Sequence, residues 1–159
     1  MKKIFAICLL ALTLITASEA KWKAPKTSEE LLTMFPVAWV ATASDIKVSK
    51  AVPSKEKVLV SVDYFVAGQK EMAVAIVYEK YVSYNSNQRN WKRHGQVIKT
   101  DPRIKAEHYL VSNPKGPVQS ICLSTGDTNY IKLYTYNFKV ATEEKLIKLA
   151  IKVAEAMKK

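Results

Sequence analysis

Met72-Ala73-Val74-Ala75-Ile76-Val77-Tyr78 runs without a charge until Glu79 and Lys80 close it. A short apolar run rich in β-branched residues reads as a strand central to a sheet, since only there are both faces covered. Before it, Val58, Val60, Val62 and Tyr64 alternate with Leu59, Ser61, Asp63 and Phe65, the period of a strand with one face buried. After it, His108 to Val111, Val118 to Ser124 and Tyr130 to Tyr136 read as three further strands. Turn chemistry separates them: Ser112-Asn113-Pro114-Lys115-Gly116-Pro117, then Thr125-Gly126-Asp127-Thr128-Asn129, a connection close enough for a hairpin.

From Val37 to about Asn137 the chain therefore reads as strands. Connections this short leave no room for helical crossovers, which predicts a largely antiparallel sheet of about six strands. A helix stands at each end. Thr27-Ser28-Glu29-Glu30 has capping-box spacing, Leu31, Leu32, Met34 and Phe35 follow, and Pro36 ends a short helix. At the other end Thr142 is the expected cap, with Glu143 and Glu144 at the positive end of the helix dipole. Leu146, Leu149, Ala150, Val153 and Met157 then share one face, with Lys145, Lys148, Lys152, Lys158 and Lys159 on the other. That is a long amphipathic helix packed on a sheet. The expected class is α+β, with residues 21–159 as one domain.

Residues 1–20 read as an export signal. Lys2 and Lys3 form the positive lead, Ile4 to Ile15 the apolar stretch, and Ser18-Glu19-Ala20 the small residues that a signal peptidase needs. Twelve residues are too few for a membrane anchor, which needs about 20, and no other segment is long and apolar enough. The expected location is a periplasm or the medium. Cleavage near Ala20 removes Lys2, Lys3 and Glu19 from 25 basic and 14 acidic residues, leaving 23 and 13 and a net charge of +10. It also removes Cys8, so Cys122 has no intramolecular partner, and a four-cysteine zinc site or a CxxC redox pair is excluded.

Few residues carry chemistry. Cys122 and His108 form the one conceivable thiol–imidazole pair, yet Cys122 sits in the strand-like Val118-Gln119-Ser120-Ile121-Cys122-Leu123, where a cysteine behaves as a small hydrophobe. His94 and His108 lack metal-ligand spacing, Asp63, Asp101, Glu107 and Asp127 are scattered, and Gly-x-Ser-x-Gly is absent. Four glycines leave no phosphate-cradling loop. The expectation is no catalytic residue, no metal and no cofactor.

Two groups suggest binding. Tyr78 to Lys105 carries Lys80, Arg89, Lys92, Arg93, Lys99, Arg103 and Lys105 among Tyr81, Tyr84 and Trp91, the mixture of cations and stacking rings that a polyanion needs. Its plainer reading is a solvated basic loop. Tyr130, Tyr134 and Tyr136 share one side of their strand by alternation, and tyrosine suits protein interfaces as well as sheet packing.

The proline–tryptophan entry Phe35-Pro36-Val37-Ala38-Trp39, leading into the first strand, and Tyr130 to Tyr136 running into the Thr142–Met157 helix resemble the Mog1/PsbP-like α/β/α sandwich of small exported bacterial proteins. That resemblance implies a non-catalytic accessory, adaptor or immunity-type role, by analogy of fold alone. The leading expectation is an exported binding module that recognises a partner protein, in the envelope or outside the cell, through the tyrosine face or the basic loop. A binder of anionic polymers through residues 78–105 is the second expectation. A hydrolase assembled from distant strands is the third.

Overall fold

The computed structural model describes residues 22–158; the segment read above as an export signal, its expected cleavage point, Cys8 and Lys159 lie outside the described residues. In chain order the elements are α1 (Ser28–Met34), α2 (Val37–Ser44), β1 (Val48–Pro53), β2 (Val60–Val66), β3 (Met72–Glu79), α3 (Tyr84–Arg93), β4 (Val97–Lys99), β5 (His108–Ser112), β6 (Val118–Ser124), β7 (Tyr130–Tyr134) and α4 (Glu143–Ala156). All seven strands join one sheet in the order β1-β2-β3-β7-β6-β5-β4, and every neighbouring pair is antiparallel. The class is α+β. None of the described helices is long and apolar enough to cross a membrane.

The sheet is two meanders laid side by side. β1-β2-β3 forms one and β4-β5-β6-β7 the other, with β3 and β7 paired at the seam from Ala75–Tyr134 to Glu79–Tyr130. After β3 the chain crosses to the far edge of the sheet through α3. The connection was expected to be a basic loop; it is a helix. Its period shows why. Tyr84, Asn87, Gln88 and Trp91 fall on one side and are at least half-buried, while Arg89, Lys92 and Arg93 face solvent. Ser83 caps it by accepting from Ser86 N–H at 3.2 Å, and Tyr84 N–H donates to Thr128 O at 2.9 Å, tying its start to the β6–β7 turn.

A second correction concerns Val37 to Ser44, read above as the first strand. It is helix α2. Pro36 does end α1, but a fixed φ and a missing N–H also suit the start of a helix. Val40 N–H donates to Pro36 O at 3.0 Å, and Ala38, Ala41 and Ala43 favour the helix. Asp45 closes it in the left-handed region at φ 57. The proline–tryptophan entry thus leads into a helix, and the first strand begins at Val48. Thr142 occupies the N-cap position of α4 without a side-chain capping bond.

One side of the sheet is sealed. Leu31 and Phe35 of the α1 segment, Val40 of α2, and Leu146, Leu149, Ala150 and Val153 of α4 pack on Val62, Tyr64, Val74, Ile76, Ile121, Leu123, Ile131 and Leu133. The other side is only half covered. There α3 roofs a small cluster of Tyr84, Tyr109, Val111, Cys122 and Tyr130, with Trp91 and Ile98 at its margin. Ala75 and Val77 of β3 belong to neither cluster but are buried. They are short, and their cross-strand partners Tyr134 and Lys132 shade them.

This layering predicts opposite responses from adjacent residues of β7. Leu133→Ala, which empties a fully buried site beside Ile76, should cost about 2–5 kcal/mol in urea unfolding. Lys132→Ala, which removes only part of the cover over Val77 on the half-covered side, should cost about 1 kcal/mol or less.

Candidate functional site

The basic segment is divided by the fold. Arg89, Lys92 and Arg93 lie on the outer side of α3, where Arg89 donates to Ser86 Oγ at 3.1 Å. Lys99 and Arg103 are turned elsewhere. Lys99 pairs with Glu143 at 2.7 Å, and Arg103 pairs with Asp101 and Glu144, each at 2.8 Å. Hydrogen bonds from Arg103 hold the Asp101 carboxyl down at about 2. Lys105 Nζ donates to Pro102 O at 2.9 Å. Tyr81 is exposed beside Lys80, whose Nζ lies 5.1 Å from its ring centre, whereas Tyr84 is buried. Two cations of the expected patch are therefore matched with acids next to the first turn of α4, away from the three on α3.

His108 and Cys122 are separated by the pleat. Cys122 faces α3 opposite Tyr109, and His108 pairs with Leu123, whose side chain belongs to the sealed side. His108 Nε2 accepts from Asp101 N–H at 2.9 Å, which leaves Nδ1–H to donate to Ala106 O at 2.7 Å. Around Cys122, Asn87 Nδ2 donates to Tyr109 OH at 2.7 Å. Burial pushes the Cys122 thiol up to about 12 and raises Tyr84, Tyr109 and Tyr130 as well. Among the described residues no three His, Cys, Asp or Glu side chains gather as a metal-binding group.

The tyrosines of the last strand have different fates. Tyr130 is buried under α3. Tyr134 is half-buried, and Tyr136, just past the strand, is 76% exposed and meets the Tyr134 ring edge-on at 5.5 Å. Thr135 sets their positions. Its buried hydroxyl donates to Ala73 O at 2.6 Å, and its N–H donates to Gln119 O at 3.0 Å, so the end of β7 is clamped between β3 and β6.

A recess of about 160 Å³ opens beside these rings, where the roof of α3 stops. Trp91, Gln119, Ser120, Lys132, Tyr134 and Tyr136 line it. Gln119 Nε2 donates to Gln96 Oε1 at 3.0 Å, and Lys132 Nζ sits 5.2 Å from the Tyr134 ring centre. Trp91 Nε1 and Ser120 Oγ are buried with no hydrogen-bond partner in the protein. Beyond the recess, Asp63 lies on the same side of the sheet opposite Ala75, and burial raises its carboxyl. Trp91, Tyr134 and Tyr136 were expected site residues from the sequence, whereas Gln119, Ser120 and Lys132 were not. A lysine between two tyrosines in an otherwise apolar strand was the available signal.

Compared with known proteins, the chain matches no family model, no curated protein and no solved structure.

The raised Cys122 thiol has a pH consequence. A group whose folded value exceeds its unfolded value stabilises the fold fully below the unfolded value and loses that contribution as pH rises through the folded one. For Cys122 that window runs from about 9 to about 12. Urea midpoints should fall across this window in the native protein and fall less in Cys122→Val, the tyrosines supplying the remainder. Equal slopes would show that the thiol is not buried in the fold.

Proposed function

We propose that this chain is an exported, non-catalytic binding protein that recognises a partner protein through the unroofed half of its sheet. The observation that carries the reading is the arrangement of Lys132, Tyr134 and Tyr136. A half-sheet without a covering helix presents Lys132 and Tyr134 opposite the short Val77 and Ala75, with Tyr136 beside Tyr134 and Trp91 as one wall. Aromatic rings with polar tips, held on a rigid strand end, lose little entropy on contact and are common anchors of protein interfaces. Export is supported by the pattern of residues 1–20. The Mog1/PsbP-like resemblance read from the sequence implies an accessory role of the same kind.

Binding of an anionic polymer is the second reading. It rests on Arg89, Lys92 and Arg93, none of which has a salt-bridge partner among the described residues. It is weakened by the pairing of Lys99 and Arg103 with acids.

Affinity capture with the chain from Lys21 onward, using envelope or medium proteins, separates the two readings. The expected result is a protein retained at high salt, lost from a folded Tyr134→Ser/Tyr136→Ser variant and kept by Arg89→Ala/Lys92→Ala/Arg93→Ala. Retention that collapses with salt and with the triple substitution would replace this reading with the polymer one. Identical retention by wild type and the tyrosine variant would remove the tyrosine face as the surface.

A further inference from the structure

We propose that the recess between Trp91 and Tyr136 is a subsite for a single carboxylate carried on a short apolar stem. Its polar groups are weighted toward donors. Trp91 Nε1–H donates only, Lys132 offers three N–H groups and no acceptor, and the Ser120 hydroxyl can turn its proton toward a ligand. Two of these atoms are the buried, unpartnered ones, and Ser120 is only 3% exposed, so its hydroxyl belongs to a formed floor rather than to the rim. A buried donor without an acceptor is costly, and a ligand that supplies acceptors relieves that cost.

The charge has the matching sign. Lys132 has no carboxylate within salt-bridge distance among the described residues. Asp63 opposite Ala75, near enough to act on the Tyr134 hydroxyl, Glu79 opposite Tyr130, and Glu107 near Tyr84 share this side of the sheet, but none of them lines the recess. Size narrows the class further. A recess of about 160 Å³ has room for a carboxylate and a few carbons. One ammonium balances one negative charge, whereas a phosphate dianion would call for a second cation. The rings of Trp91, Tyr134 and Tyr136 suit the stem.

Two sources can present this group: a free small acid, or the chain-end carboxylate of the partner protein. The subsite deepens the binding reading above and rests on the same unroofed surface.

The test follows the Trp91 indole N–H signal by ¹H–¹⁵N NMR, assigned with Trp91→Phe, with Trp22 and Trp39 as internal controls. The probes are benzoate, its neutral counterpart benzamide, and one short peptide with a free or an amidated C-terminus. Saturable movement of Trp91 with the carboxylates alone is expected. Lys132→Met should weaken binding about tenfold or more, and Ser120→Ala by a smaller factor. Tighter binding of the free-ended peptide than of benzoate assigns the source to a partner's chain end, and the reverse order assigns it to a small acid. An unmoved Trp91 signal, equal movement with benzamide, or indifference to Lys132→Met overturns the subsite. If that occurs while the tyrosine variant still loses its captured protein, the subsite falls and the binding reading stands. Saturable benzoate binding without tyrosine-dependent capture has the opposite meaning.

Discussion

The pairing of β3 with β7 is the constraint on which the rest of the structure depends. It is the one contact that makes a single sheet from two meanders, and it joins strands far apart in the chain. Such a pairing is reached only after a long loop has closed, so it must return enough burial to offset that entropy. β3 does so on both sides: Val74, Ile76 and Tyr78 enter the large core beneath α1, α2 and α4, while Ala75 and Val77 are buried under the side chains of β7. The apolar run Met72 to Tyr78 is the sequence counterpart of this position.

The same pairing creates the candidate site. β3 contributes short side chains and β7 contributes Lys132 and Tyr134 directly opposite, so the long side chains lie across the short ones rather than under a helix. Thr135 then fixes the end of β7 through bonds to Ala73 O and Gln119 O, which places Tyr136 beside Tyr134. α3 stops the surface from extending further, because its Trp91 is the boundary between the roofed cluster and the open half. Fold and recess are thus consequences of one seam.

The strands that the sequence revealed are those with a strong burial pattern. β2 alternates, β3 is apolar up to its last residue, Glu79, β6 and β7 are separated by turn chemistry, and α4 carries a wide apolar stripe. α3 was hidden because only Tyr84 and Trp91 mark its inner side amid polar residues, and α2 because Pro36 reads as a stop when it is also a start. β4 is three residues long, too short for a period. The recess was legible only in its rings. Ser120 and Lys132 become neighbours of Trp91 through the β6–β7 hairpin and the crossing of α3, a juxtaposition that no local spacing encodes.

Native-state hydrogen exchange tests the central role of this seam most directly. Amides in the β3–β7 ladder should exchange only through global unfolding, with one shared free energy, while those of the edge strands β1 and β4 open earlier and independently. Exchange of the β3–β7 amides at the rate of the edge strands, with the β5–β6 ladder still protected, would contradict the account.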